Sequence, residues 1–263
     1  MPYAVVTGAA GGMGQATVRM LAGQGWRVFA LDRKACPPGK NIIPVTVDLT
    51  DASSVADAVK TVGASTGDIS AVIHFAGMYR LDSLVEMTPE DFAQIFHVNL
   101  RAAFLVNRAF LPLLHAGSRI LLTTSELAPL DPLPFTGIYG VTKAALDKYA
   151  YALRMELQLL GIHVSVLRAG AVQTDMLGAS TCALEAFCEH TKLYRCNAAR
   201  FRQIVDSVEA RSIPPEKIAE KVGAILRKKY PAFAYGINRN GLLLLLNVCP
   251  KRLQCFAIRK ILR

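Results

Sequence analysis

The chain has 263 residues, 52% of them apolar and 19% charged, with a formal net charge of +10. That length suits one α/β domain, and the composition supplies a core, which excludes a disordered or collagen-like chain. No uninterrupted apolar run reaches the roughly 20 residues that span a bilayer.

Met1 and Pro2 run straight into an apolar strand candidate, so no secretory leader is expected. The cysteines at 36, 182, 188, 196, 249 and 255 form no CxxC and match no zinc spacing. They read as reduced thiols of a cytoplasmic protein, with no metal site. The charge is uneven: from Pro214 onward eleven Lys and Arg face only Glu216 and Glu220, a surplus of nine, which leaves +1 for residues 1–213.

Strand candidates in chain order are Tyr3–Thr7, Arg27–Leu31, Ile42–Val47, Ala71–Phe75 and Arg119–Thr124, short β-rich runs with little alternation. Such runs belong to a sheet covered on both faces. Helical patterns fall between them at 13–24, 51–64 and 88–115. Further strands are expected at His163–Leu167 and Ala232–Gly236. The alternation predicts a single-domain, doubly wound parallel sheet of about seven strands, joined by right-handed crossovers, with helices on both faces.

The turn after the first strand reads Thr7-Gly8-Ala9-Ala10-Gly11-Gly12-Met13-Gly14. Glycines let backbone approach a pyrophosphate, and the following helix aims its N-terminal N–H groups at it. A glycine cluster alone is a weak signal, but this one follows a strand and opens a helix, as dinucleotide binding requires. Asp32 closes the second strand, where a carboxylate accepts from ribose hydroxyls and repels a 2′-phosphate. Its ordinary alternative is a surface turn Asp. Arg33 offsets part of that charge, and Gly11 offers a phosphate no cation, so NAD is expected over NADP.

Tyr139 and Lys143 lie one helical turn apart, and Ala144, Ala145, Leu146, Tyr149, Ala152, Leu153 and Leu157 continue the apolar stripe. An ammonium beside a phenol favours the phenolate and lowers its pKa from about 10. The pair then suits proton transfer in alcohol/carbonyl chemistry. An ordinary helix with a solvated Lys is the bland alternative. Lys148 and Tyr151 on the same helix lack this context and read as surface or packing residues.

With these motifs in hand, residues 1–180 resemble the short-chain dehydrogenase/reductase family. Thr7–Gly14 fits its TGxxxGxG, and Asp48-Leu49 fits the acidic position that meets the adenine amino group. Phe75-Ala76-Gly77 stands where the family usually has Asn-Ala-Gly; Ala76 and Gly77 keep the small residues beneath the cofactor. Asn99 fits the Asn supporting a proton relay and Ser125 the catalytic Ser, with Tyr139 and Lys143 completing the set. In Arg168–Thr174, Ala169 departs from the family's Pro, while Val172 and Thr174 match residues contacting the nicotinamide amide. The resemblance implies a Rossmann domain over 1–240, cofactor contacts from Gly8 to Gly14 including Met13, and a homodimer or homotetramer. Tyr139 would exchange a proton with the substrate oxygen, and Lys143 would hold the nicotinamide ribose. Ser125 would stabilise the oxyanion and Asn99 would hold a water.

A substrate lid is expected at about 176–212. Met176, Leu177, Leu184, Phe187, Leu193, Tyr194, Phe201 and Ile204 supply an apolar lining, and Leu130, Leu133, Pro134 and Phe135 an opposite wall. These residues equally suit the lid's own core. The tail, with Lys228-Lys229-Tyr230-Pro231 and Cys249-Pro250-Lys251-Arg252-Leu253, resembles the retinol and 17β-hydroxysteroid dehydrogenase branch. A lipophilic substrate follows, a hydroxysteroid first; retinol, a polyol or an acyl thioester are alternatives, and a non-catalytic scaffold is disfavoured by the intact triad. Residues 241–263 form a basic amphipathic extension, suited either to reversible contact with an anionic membrane or to packing on the protein; nucleic acid is not expected as a partner.

Overall fold

The computed structural model describes residues 1–209 and 211–263, with side chains throughout except at 175–181 and 207–209. Seven strands form one parallel sheet: β1 (Tyr3–Thr7), β2 (Arg27–Asp32), β3 (Ile42–Thr46), β4 (Ile69–His74), β5 (Leu114–Ser125), β6 (His163–Ala169) and β7 (Ala234–Ile237). Their order is β3-β2-β1-β4-β5-β6-β7, so the chain reverses its direction of travel across the sheet between β1 and β4. That reversal opens a crevice at the carboxyl ends of the strands, where ligands of open α/β sheets bind.

Period-two alternation sends Val5, Phe29, Val72, Ile120 and Val166 to one face and Ala4, Val6, Val28, Ile73 and Leu121 to the other. The first face is covered by α2 (Ala52–Gly63), α4 (Ala102–Phe110) and α5 (Gly137–Leu157), through Val55, Phe110 and Leu146 among others. The second is covered by α1 (Gly12–Gly23) and α8 (Pro215–Leu226), through Leu21, Ile218 and Val222. All of these side chains are buried, and burying each of the larger ones is worth about 1.5–3 kcal/mol. The single-domain doubly wound architecture is therefore as expected.

The helix expected over 88–115 is corrected. Thr88 caps α3 (Pro89–Phe96) by accepting from Asp91 N at 3.1 Å, but regular α geometry then yields to a π-helical turn over His97–Arg101. After α4, Pro112 sits in a 3-10 turn, Leu111–Leu113, because proline cannot donate into a continuing helix. β5 begins at Leu114, earlier than expected, and its register against β4 shifts before Arg119 pairs with Ala71. Ser118 Oγ stitches this irregular stretch, donating to Ile69 O at 2.8 Å and accepting from His115 N at 3.0 Å.

The expected lid is helical, formed by α6 (Asp175–His190) and α7 (Arg195–Glu209). The tail forms α9 (Gly241–Val248) and α10 (Lys251–Leu262), which fold back onto the loop after β5. Asp131 anchors both helices: its N–H donates to Asn247 Oδ1 at 2.8 Å, and its carboxylate accepts from Gln254 Nε2 at 3.0 Å and pairs with Lys251. Among the described residues no helix is long and apolar enough to cross a membrane.

Candidate active site

The carboxyl ends of β1, β4, β5 and β6 meet the start of α5 and the lid around an open cleft. At one end lies the glycine turn. Gly8 has φ +66°, and a β-carbon there would stand 2.5 Å from Ala76 N; one on Gly14 would stand 2.1 Å from Gly8 O. Only glycine permits this packing of turn, helix and neighbouring strand end. Gly11 caps α1, whose first N–H groups face the crevice end of the sheet. Thr174 approaches Gly12 closely enough that its Cγ2 would stand 2.8 Å from a β-carbon there. Residues from the first and sixth strand ends, expected to share a ligand, are thus adjacent, with Met13 and Val172 lining the cleft beside them.

Asp32 ends β2, and its carboxylate accepts from Ala10 N at 3.0 Å and Lys34 N at 2.9 Å. It therefore stands beside the glycine turn. Arg33 is exposed next to it. Asp48 is exposed beyond β3, its carboxyl held below the usual range by hydrogen bonds from Thr50, while Leu49 packs on the core. Together the glycine cradle, the helix N-terminus and the acidic group at the second strand end fit a dinucleotide.

At the other end Ser125, Tyr139 and Lys143 come together. Ser125 ends β5, 5% exposed, and hydrogen-bonds to the Tyr139 hydroxyl, while its Oγ accepts from Leu127 N at 3.2 Å. Lys143 Nζ lies 5.7 Å from the Tyr139 ring centroid and donates to Thr123 O at 3.2 Å. Tyr79 packs against Tyr139 with ring centroids 4.8 Å apart. Ala76 and Gly77 lead into this segment, and a β-carbon on Gly77 would stand 3.3 Å from Lys143 Nζ.

Asn99 occupies the π-helical turn, 1% exposed. Its Oδ1 accepts from Met78 N at 2.7 Å, and its Nδ2 donates to Met78 O at 3.0 Å and Thr142 Oγ1 at 3.0 Å. It therefore clamps the loop after β4 to the helix that carries Tyr139 and Lys143. The extra residue that a π-turn inserts is a recurrent feature of functional sites.

The expected lowering of the Tyr139 pKa is corrected. Burial pushes that phenol well above its ordinary value, with Tyr79 and Glu126 adding to the rise and only the Ser125 hydrogen bond opposing it. Burial likewise pulls Lys143 down to about 8. Each shift favours the neutral form, because enclosure removes the water that would stabilise its charge.

Sequence reasoning missed Glu126, Tyr79, Thr142 and Leu243. Glu126 follows Ser125 and lines the cleft, buried, with burial raising its pKa; its Oε2 accepts from Asn240 N at 2.5 Å. Its position at the end of a core strand, next to a candidate catalytic Ser, was a usable signal. Leu243 reaches the cleft from the far end of the chain, for which no local pattern exists.

The lid divides between the two expected roles. Phe201, Ile204 and, opposite, Leu133 line the cleft. Leu184 and Phe187 instead bury in the lid's own cluster with Tyr194 and Phe135, where the Phe135 ring lies 4.6 Å from Phe187. Leu193 is 67% exposed, and Leu130 lines a smaller neighbouring cleft. Met176 and Leu177 lie outside the described side chains. Lys148 and Tyr151 are exposed on α5, as expected.

A dinucleotide crevice ending at a Ser/Tyr/Lys cluster defines an oxidoreductase on a doubly wound fold. Comparison with known proteins gives the family. The profile described as short chain dehydrogenase matches residues 2–184, and the chain belongs to that family. A short chain dehydrogenase of Pseudocercospora fijiensis is 29% identical over 204 residues, covering 72% of this chain and 65% of the relative. A 3-ketodihydrosphingosine reductase of Bacteroides thetaiotaomicron is 26% identical over 233 residues, covering 87% of this chain and 85% of the relative. Among solved structures, a short-chain dehydrogenase of Streptomyces avermitilis superposes with a TM-score of 0.77 at 19% identity, over 99% of this chain and 93% of that one. The family's fold binds nicotinamide cofactors; neighbouring structures hold NADPH in one case and NADH in another.

Proposed function

We infer that this protein interconverts a secondary alcohol and a ketone on a lipophilic substrate, using NAD(H). The convergence of Ser125, Tyr139 and Lys143 at the floor of an apolar-walled cleft carries the reading. The cofactor supplies hydride transfer to or from the substrate carbon. Tyr139 passes the accompanying proton to or from the substrate oxygen through its hydroxyl. Ser125 donates a hydrogen bond to that oxygen as charge develops on it. Lys143, beside Gly77, would hold the ribose of a bound nicotinamide cofactor. Gly8 to Gly14, Ala76, Val172 and Thr174 would hold the rest of the cofactor, and Asp48 and Leu49 would meet its adenine.

Asp32 supports NAD over NADP, because its carboxylate opposes a phosphate and its near neighbour Gly11 carries no cation. Leu133, Phe201, Ile204, Val205 and Leu243 give the cleft walls that suit a bulky apolar molecule. A hydroxysteroid is our first choice. A long-chain keto-lipid is the second reading, favoured by the likeness to a 3-ketodihydrosphingosine reductase over most of both chains. Exposed apolar residues on α4 and α5, among them Phe104, Val141 and Met155, support association of copies as a dimer or tetramer. The free cysteines support a cytoplasmic location.

The test is cofactor oxidation and reduction with steroids, keto-lipids, retinol, polyols and simple alcohols, each with NAD and NADP. Tyr139→Phe keeps the ring and deletes the proton-transfer group, so kcat should fall at least about 10²-fold. Near-normal turnover by that variant would remove the mechanism.

A further inference from the structure

The last two helices present an outer surface that the active site does not use. On α9, Leu243 and Leu246 face inward to clefts shared with Leu127 and Leu133. On its opposite side Leu242, Leu245 and Val248, at i, i+3 and i+6, are 68%, 66% and 83% exposed. On α10, Gln254 is buried and Leu262 packs on the lid cluster, while Leu253 and Phe256 are 58% and 54% exposed. Around these lie Arg252, Arg259, Lys260 and Arg263, all exposed. From 241 to 263 there is no Asp or Glu. Among the described residues only Lys251 of this segment forms an ion pair, to Asp131.

We propose that α9 and α10 dock this protein on an anionic lipid bilayer. Leu242, Leu245, Val248, Leu253 and Phe256 enter the boundary between headgroups and acyl chains, and the four flanking cations sit at phosphate level. Charge decides between this occupant and a second copy of the chain, since self-association through the same face would bring like cations together. An anionic surface matches them. The geometry also gives the contact a use, which rests on the lipophilic substrate proposed above. α9 separates the outer surface from the active cleft by the thickness of one helix, with Leu243 on the cleft side. A substrate dissolved in the bilayer then reaches the cleft along α9 without crossing water.

The experiment is co-sedimentation of the full-length protein with vesicles of phosphatidylcholine alone and of phosphatidylcholine with phosphatidylglycerol. Binding to the anionic vesicles is expected at low salt and should weaken as salt rises. Replacing Arg259 and Lys260 together by Gln should reduce partitioning roughly 25-fold, at roughly fivefold per charge. Leu242→Ser with Leu245→Ser should reduce it at least about tenfold while leaving turnover of a water-soluble alcohol unchanged. Sedimentation reads binding whatever the substrate proves to be, so a failed substrate reading and a failed docking proposal are distinguishable. Protein left in the supernatant with anionic vesicles at low salt overturns the proposal. So does a concentration-dependent dimer without vesicle binding that the paired Leu→Ser variant abolishes, which assigns the face to a second copy.

Discussion

Removing the Asn99 side chain should loosen the catalytic end of the molecule by a calculable amount. In Asn99→Ala the Met78 N–H and C=O lose their partners at 2.7 and 3.0 Å, and Thr142 Oγ1 loses a donor at 3.0 Å. Leaving one buried polar group unsatisfied costs about 1–3 kcal/mol. Met78 is partly buried, so water recovers part of this loss. A net cost of about 3 kcal/mol follows from two stranded backbone groups. For a chain of this size that lowers the melting temperature by about 6–12 °C, at about 2–4 °C per kcal/mol. Turnover should fall as well, because the released loop carries Tyr79, which packs on Tyr139. Asn99→Asp keeps the acceptor for Met78 N–H but cannot donate to Met78 O or Thr142, so it should lie between alanine and wild type. Thermal unfolding and turnover are measured on the same preparations. A melting temperature unchanged in Asn99→Ala, with activity lost, would refute the clamp and leave Asn99 acting only through a bound water.

Asp32→Ala should narrow the ratio of kcat/KM with NAD to that with NADP, mainly by relieving repulsion of the 2′-phosphate; a wild type that already prefers NADP sinks the argument and points to Arg33. His74 gives the pH dependence. It is fully buried with Nε2 2.8 Å from Asn107 Oδ1, and burial pulls its pKa from 6.5 to about 4. The unfolded chain therefore binds more protons between these values, and stability is lost as pH falls from 6.5 toward about 4. At pH ~4.5 the loss from this residue is about 2.5 kcal/mol. Urea unfolding of His74→Gln should lose correspondingly less stability between neutral and acid pH; an identical acid slope in the variant contradicts the assignment.

Most of the fold was legible because buried parallel strands have a strong local signature. Tyr3–Thr7 is a strand at the expected bounds, and the other strands differ from expectation chiefly at their ends. Failures arose where tertiary context overrides a periodic pattern. Residues 88–115 keep an apolar stripe through His97–Arg101, so nothing in the period reveals that the backbone inserts a π-turn there. Asn99 sits in that turn, where it accepts from Met78 N. The lid residues were likewise apolar whether they faced the cleft, as Ile204 does, their own cluster, as Leu184 does, or both, as Phe201 does. Hydrophobicity alone cannot assign a side chain to one of two apolar destinations.

The spatial grouping of the candidate site was legible, but its electrostatics were not. Spacing placed Tyr139 and Lys143 one turn apart, and the glycine and serine motifs pointed to the same crevice, where Ser125, Tyr139 and Lys143 all line the cleft. Whether the ammonium lowers the phenol's pKa depends on enclosure, which spacing does not encode. Lys143 is 5% exposed with its pKa drawn from 10.5 to about 8. At 1.36 kcal/mol per pKa unit, holding that ammonium charged costs about 3 kcal/mol. Thr123 O, at 3.2 Å, offsets only part of this, since an ammonium has three donors to satisfy. A ligand with acceptor oxygens against Nζ would return the missing bonds and favour the charged form. A charged Lys143 in turn favours the phenolate of Tyr139. With a pKa of about 8 Lys143 is still mostly an ammonium at neutral pH, while burial holds Tyr139 as the neutral phenol; acceptor hydroxyls against Nζ would keep Lys143 charged to higher pH and so help Tyr139 release its proton.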